Sequence, residues 1–258
     1  MTHSAPVACP AIARMAVCDA FHAARAGTSL VSRLYAEAMG DEYPEEVGPY
    51  SSCDWSLLGL LVTRLKLRPG QLLVDVGCGT GGVGLWLARA LNVRLVGIDL
   101  SPFAVSFAAT RRTSFNVPEN SANFHVATME ATGLATGCAQ GVLCIDALGF
   151  AANRAQVLSE LGRTVAPGGR LILTTVRRDG QDSIDRDSID AALEVEDVDD
   201  RPAEPKMWKK LYDLWISHER ELRRELGDRQ AANMLREAHR KAPMLAQRHA
   251  VLVTLRAR

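Results

Sequence analysis

The feature that most constrains this chain is a cluster of glycines set directly after a buried strand. Leu72 to Val76 is an apolar run that encloses Asp75, and Gly77, Cys78, Gly79, Thr80, Gly81 and Gly82 follow it. Such a run reads as a parallel strand covered on both faces. The glycines allow φ > 0 and bring bare backbone close to a ligand. Val83 to Leu91 then reads as a helix, and Val93 to Ile98 as a second strand with Asp99 at its end. Strand, glycine loop, helix and strand with a terminal acid make a half-site for an adenosine, the acid facing the ribose hydroxyls.

Gly77, Gly79 and Gly82 also satisfy G-x-G-x-x-G, so a nicotinamide or flavin site competes for the same residues. Three features oppose it. Asp75 lies inside the strand, two residues before the first glycine. The strand starts about seventy residues into the chain, where dinucleotide domains often open with it. Ala166-Pro167-Gly168-Gly169 then feeds a further buried strand, Arg170 to Val176. With Asp75, Gly77, Gly79 and Gly81 spelling D-x-G-x-G-x-G, the chain resembles the class I S-adenosylmethionine-dependent methyltransferases over roughly residues 30 to 258. Gly81 to Arg89 and Asp99-Leu100-Ser101-Pro102 are similar to small-molecule methyltransferases of actinobacterial secondary metabolism. The resemblance implies an α/β fold: a Rossmann-like, seven-stranded, mostly parallel sheet with helices on both faces and a helical lid. It places the last strand antiparallel between the fifth and sixth.

The 258 residues suit one α/β domain with a modest accessory segment. Thirty basic and thirty acidic residues cancel, so nothing advertises a nucleic-acid or anionic membrane partner. The six cysteines show no C-x-x-C pair and no zinc-ligand spacing, as expected of reduced thiols in a cytoplasmic protein without a metal. No apolar run reaches the length of a membrane span. The first thirty residues are Ala-rich and nearly acid-free, which faintly suggests a transit peptide. Arg14, Asp19 and His22 interrupt any secretory core, and a surface helix at the mouth of the site is the preferred reading.

Four segments follow: an N-terminal helical lid (1–56), the cofactor-binding core (57–202), an inserted helical cap (203–247) and a last core strand (248–258). Ser101 is a suitable N-cap with Pro102 at the first helical position, and that helix runs to about Phe115. Strands are expected at 122–127 and 141–145. Asn153 caps a helix that stops at Pro167-Gly168-Gly169. A short helix over 183–193, a half-exposed strand over 194–200 and two long charged helices broken at Gly227-Asp228 precede the final strand, 248–256.

By resemblance, Gly77, Cys78, Gly79 and Gly81 cradle the methionine and ribose portions of S-adenosylmethionine. Asp75 orders that loop and Asp99 takes the ribose hydroxyls. Leu100 and Met129 wall the adenine. Thr128 stands where the family has an acid, with Glu130 as a substitute, and Ser51 matches a serine near the cofactor's carboxylate. Asp146 ends the fourth strand beside the reactive sulfur. The two positions where many small-molecule relatives carry a histidine base are Gly149 and Phe150, and the Asn-Pro-Pro-Tyr signature of base and glutamine methylation is absent. Tyr35, Tyr43 and His218 are the candidate catalytic groups left near the mouth. Trp208, Tyr212 and Trp215 recur at helical spacing, which suits core packing and equally a pocket for an apolar or aromatic substrate. The expected reaction is methyl transfer to a small, partly apolar natural product, without nucleic acid or membrane and with a homodimer allowed. The alternative is a relative that keeps the cofactor and catalyses a cyclisation.

Overall fold

The computed structural model describes residues 10–177 and 193–258. In chain order the elements are α1 (Pro10–Ala26), α2 (Leu30–Met39), α3 (Trp55–Leu65), β1 (Leu72–Val76), α4 (Gly82–Leu91), β2 (Arg94–Asp99) and α5 (Pro102–Arg111). They continue with β3 (Ala122–Val126), β4 (Ala139–Cys144), α6 (Arg154–Thr164), β5 (Val165–Arg177) and β6 (Leu193–Asp200). The chain ends with α7 (Glu204–Ser217), α8 (Glu219–Leu226), α9 (Asp228–Lys241) and β7 (His249–Ala257). The helix expected over 183–193 falls, apart from Leu193, outside the described residues. No helix among the described residues is long and apolar enough to cross a membrane.

The seven strands form one sheet in the order β3-β2-β1-β4-β5-β7-β6. β1 pairs in parallel with β2 and β4, and β7 runs antiparallel to both β5 and β6, as expected from the resemblance. The pleat of β1 sends successive side chains to opposite faces. Val74 and Val76 join a core with Val157, Leu158 and Leu161 of α6. Leu73 joins the opposite core, with Leu57, Leu58 and Leu61 of α3 and Leu85 of α4. Asp75 shares that second face and lies beneath α4, where a Cβ on Gly84 would sit 2.7 Å from its Oδ2.

Three boundaries differ from the sequence reading. α6 stops at Thr164, because Val165 already has extended backbone and pairs with Ala139 across a register shift. Pro167-Gly168-Gly169 is thereby part of β5, with Gly168 at φ +73° taking up the irregularity. α5 ends at Arg111, and a short 3-10 turn turns Phe115 inward. The charged region is three helices, because His218 leaves helical geometry at φ −102°, ψ 23° in addition to the break at Gly227.

A third apolar cluster lies apart from the sheet. Leu30, Val31, Leu34 and Tyr35 of α2 pack with Leu211, Tyr212 and Trp215 of α7 and with residues of α8 and α9. The aromatic stripe is therefore core: Trp215 is 1% exposed and Tyr212 stacks edge-on against it at 5.3 Å. The pocket reading of these residues is set aside, since their rings bind α7 to α2. Trp215→Ala should cost about 3–5 kcal/mol of stability through the cavity left behind, seen as a lowered urea midpoint. An unmoved midpoint would return the stripe to the pocket.

Candidate functional site

The glycine loop folds back on the end of β2. The N–H groups of Gly77 and Cys78 both donate to the Ile98 carbonyl, at 2.8 and 3.0 Å. Asp99 holds the next turn: its Oδ2 accepts from Gly79 N–H and its Oδ1 from Ser101 N–H, each at 2.9 Å. The loop also lies hard against the end of β4, for a Cβ on Gly77 would fall 2.3 Å from that of Ala147. Only glycine, at φ +74°, permits this approach.

Two segments from the N-terminal region cross above. Between α2 and α3 the chain passes over the first turn of α4, so close that a Cβ on Gly82 would lie 1.9 Å from the Val47 carbonyl oxygen. Arg111 of α5 staples the crossing, donating to the carbonyl oxygens of Thr80 (2.8 Å) and Val47 (3.2 Å). Higher still, α1 is seated by Asp19 on the N-terminus of α5. Its Oδ1 accepts from Phe103 N–H at 3.0 Å and from the Ser101 hydroxyl, whose oxygen in turn caps Ala104 N–H. A carboxylate there complements the positive end of the helix.

Asp146 fastens the opposite wall. At φ +53° it leaves β4 in a strained left-handed turn. Its Oδ2 accepts from the N–H and hydroxyl of Ser52, at 2.6 and 2.7 Å, and its Oδ1 from Thr174 Oγ1 at 3.0 Å. Arg201, at the end of β6, donates to Ser52 Oγ and O.

Between these walls lies a cavity of about 580 Å³ at the carboxyl ends of the central strands, where ligands bind in open α/β sheets. Asp75, Gly77, Cys78, Gly79, Asp99 and Leu100 line its floor. Thr128, Met129, Ser51 and Asp146 complete the expected set in its sides. Gly81 is outside the lining: at φ +76° it caps α4 and its α-carbon is turned to Ala108 and Phe124. Tyr35, Tyr43 and His218 are outside it as well. Tyr35 is enclosed in the α2–α7 core and Tyr43 packs on that core's edge, and burial pushes both phenols up to about 12. His218 terminates α7, its Nδ1 2.9 Å from the Leu214 carbonyl. α2 and α7 bury Tyr35 on one another, Tyr43 follows α2 along the edge of the same core, and His218 stands half-exposed at the end of α7.

Instead, α1 supplies the roof. Arg14, Val17, Cys18, Phe21 and His22 line the cavity, and their spacing of three and four residues marks one helix face. That pattern is legible in the sequence, although nothing local says what the face covers. Glu130 ties the roof to the rim. It accepts from Ala152 N–H at 3.0 Å and lies 3.6 Å from Arg14.

Residues 74–173 match a family model described as a methyltransferase domain. The chain carries the class I methyltransferase fold. The match spans the glycine loop, Asp99, Asp146 and the strands that hold them. "Methyltransferase GfsG" of Streptomyces halstedii is 27% identical over 133 residues, 52% of this chain and 48% of that protein. An "O-methyltransferase" of Pyrenophora dematioidea is 31% identical over 43% of this chain and 41% of its own length. The chain thus spans about half or less of these curated relatives. Among solved structures, the "[4+2]-Cyclase SpnF" superposes with a TM-score of 0.70 at 21% identity, covering 89% of this chain and 93% of its own. A "putative sarcosine dimethylglycine methyltransferase" of Galdieria sulphuraria gives 0.67 at 16%, covering 87% and 95%.

The cofactor of such a domain is S-adenosylmethionine, and the floor fits it: bare backbone from Gly77 to Gly79 lies beside two acidic residues, Asp75 and Asp99, in the lining of the cavity. Burial raises the Asp75 carboxyl to about 7, against the pull of the Gly84 backbone hydrogen bond, and the charge of Asp99 adds to the rise. A raised carboxyl stabilises the free protein fully below the ordinary carboxyl range, and this contribution is lost as pH rises towards 7. A cation entering the cavity favours the carboxylate. S-adenosylhomocysteine, which keeps the ammonium group, should therefore bind with release of up to one proton near pH 6 and more tightly as pH rises to about 7. Calorimetry in buffers of different ionisation enthalpy reads that proton, and Asp75→Asn should abolish it. Equal release from both proteins would assign the proton elsewhere.

Proposed function

We propose that this chain transfers the methyl group of S-adenosylmethionine to a small-molecule acceptor of natural-product type. The observation that carries this reading is the cavity itself, with an adenosine half-site in its floor and an apolar roof of α1 above it. Asp99 takes the ribose hydroxyls, the backbone from Gly77 to Gly79 takes the methionine and ribose portions, and Leu100 and Met129 flank the adenine. When bound, the cofactor presents an electrophilic methyl group on a sulfonium. The protein's part is to align, enclose and exclude water, and alignment is worth about 7–11 kcal/mol in favourable cases. The GfsG and O-methyltransferase relatives support methyl transfer.

A second reading, a cyclisation run on the same scaffold, is favoured by one pair of observations. The SpnF structure is similar over nearly the whole chain, and the loop after β4 offers no base, since Asp146 is already committed to Ser52 and Thr174. Incubation with methyl-labelled S-adenosylmethionine and fractionated metabolite extracts separates the two. Label passing into a small molecule supports transfer, and turnover without label or S-adenosylhomocysteine supports cyclisation.

Asp99→Ala should weaken S-adenosylhomocysteine binding by about 1.5–3 kcal/mol, because charge-assisted hydrogen bonds are lost. Part of that loss reflects the freed Gly79 turn. Affinity unchanged by calorimetry would reduce Asp99 to a brace for the loop.

A further inference from the structure

The order of the strands says which wall a bound nucleoside base meets. The glycine loop leaves β1, Asp99 ends β2, and residues 127–130 leave β3, the next strand outward. All three turns line the cavity. A nucleoside with its ribose on Asp99 reaches over the end of β3, one strand spacing of about 4.8 Å further on.

Adenine offers a protein two apolar faces and one edge group that donates, the 6-amino group. Reading that group takes an acceptor, and a site built around such a hydrogen bond rejects a ligand that lacks it. The turn after β3 holds one carboxylate, Glu130, and the protein itself engages it. Glu130 accepts from Ala152 N–H at 3.0 Å and from its own N–H, and it lies 3.6 Å from Arg14, with a side chain 11% exposed. Against the upward push of burial, these donors hold its carboxyl below the usual range. Ala127 has no polar side chain and Met129 only a weak thioether. Arg14, on the roof above, brings donors alone. Among the described residues of this wall, the Thr128 hydroxyl is what faces the base edge from the turn. A hydroxyl turns to donate or to accept, and so favours neither kind of edge. Leu100 and Met129 are left to hold the base by its faces, and the burial of a ring face changes little with the group at the 6-position.

We propose that this chain grips its cofactor by the faces of the purine and leaves the 6-amino group unread. Homocysteine nucleosides whose purine lacks that group bind it about as well, and Thr128 is the position that sets this tolerance. The inference rests on the ribose lying at Asp99, as above.

The test compares S-adenosylhomocysteine with its 6-deamino analogue, in which purine replaces adenine and every other group is kept, by calorimetry. The two should bind the wild-type protein within about 5-fold of each other, the worth of one neutral hydrogen bond at most. Thr128→Asp puts a carboxylate where the hydroxyl stands. Its preference for S-adenosylhomocysteine should open to at least about 10-fold, as a charge-assisted hydrogen bond from the amino group allows. Thr128→Val should keep the wild-type ratio. A merely structural role for Thr128 would move both affinities together and leave their ratio alone. A larger wild-type preference for S-adenosylhomocysteine overturns the inference, and this comparison needs no variant to fold. Should Glu130→Gln erase such a preference, Glu130 is the reader. A ratio unmoved in Thr128→Asp, with its thermal melt intact, removes Thr128 as the deciding position. Failure of both ligands to bind the wild-type protein overturns the cofactor floor instead.

Discussion

The Asp146 carboxylate is the joint on which the site's architecture depends. Four segments distant in sequence meet there: the end of β4, the chain entering α3, β5 through Thr174, and β6 through Arg201 acting on Ser52. A half-buried carboxylate in such a position is steadied by filling its lone pairs, and here both oxygens accept from hydroxyl and backbone donors. The strained backbone at Asp146 is the cost of aiming the carboxylate sideways, and it persists because so many partners fix the turn. The same residue reads from the sequence as a cofactor contact. In the structure it lines the cavity while its carboxylate serves the scaffold.

Around this joint the molecule separates two kinds of stabilisation. The sheet is buried on both faces by α3 and α4 on one side and α6 on the other, through apolar area. The roof is held differently. Asp19 on the end of α5 and Arg14 against Glu130 are polar contacts at the edge of solvent, individually weaker than a packed helix face. α2, α7, α8 and α9 form their own core beside the site. They buttress the cavity without entering its wall, which is why the tyrosines and the histidine nominated there are absent from the lining.

The strands and the glycine loop were legible in the sequence because each rests on a local, periodic signal, whereas the order of the sheet followed from the family resemblance. An apolar run of strand length and glycines at fixed spacing need no distant partner to be interpreted, and Asp99 is located by its place at a strand end. The roles of the α1 face and of the Trp208–Trp215 stripe were not legible, for a shared reason. A helical face with apolar and aromatic residues declares that it is covered, and only the tertiary arrangement says by what. α1 covers the ligand chamber with such a face, and α7 buries its own against α2. The extra break at His218 and the early end of α6 are boundary effects of the same kind, decided by how neighbouring elements dock.

The seating of α1 carries an implication for salt dependence. The roof is attached over the cofactor floor at Asp19 and Arg14, and at its far end by the buried Arg25, which donates to the Pro49 carbonyl and lies over the Trp215 ring. The roof is therefore the wall of the chamber held most by charged contacts. Ionic contacts of this kind weaken as salt rises, whereas the apolar packing below does not. Raised salt therefore loosens the roof before it touches the floor.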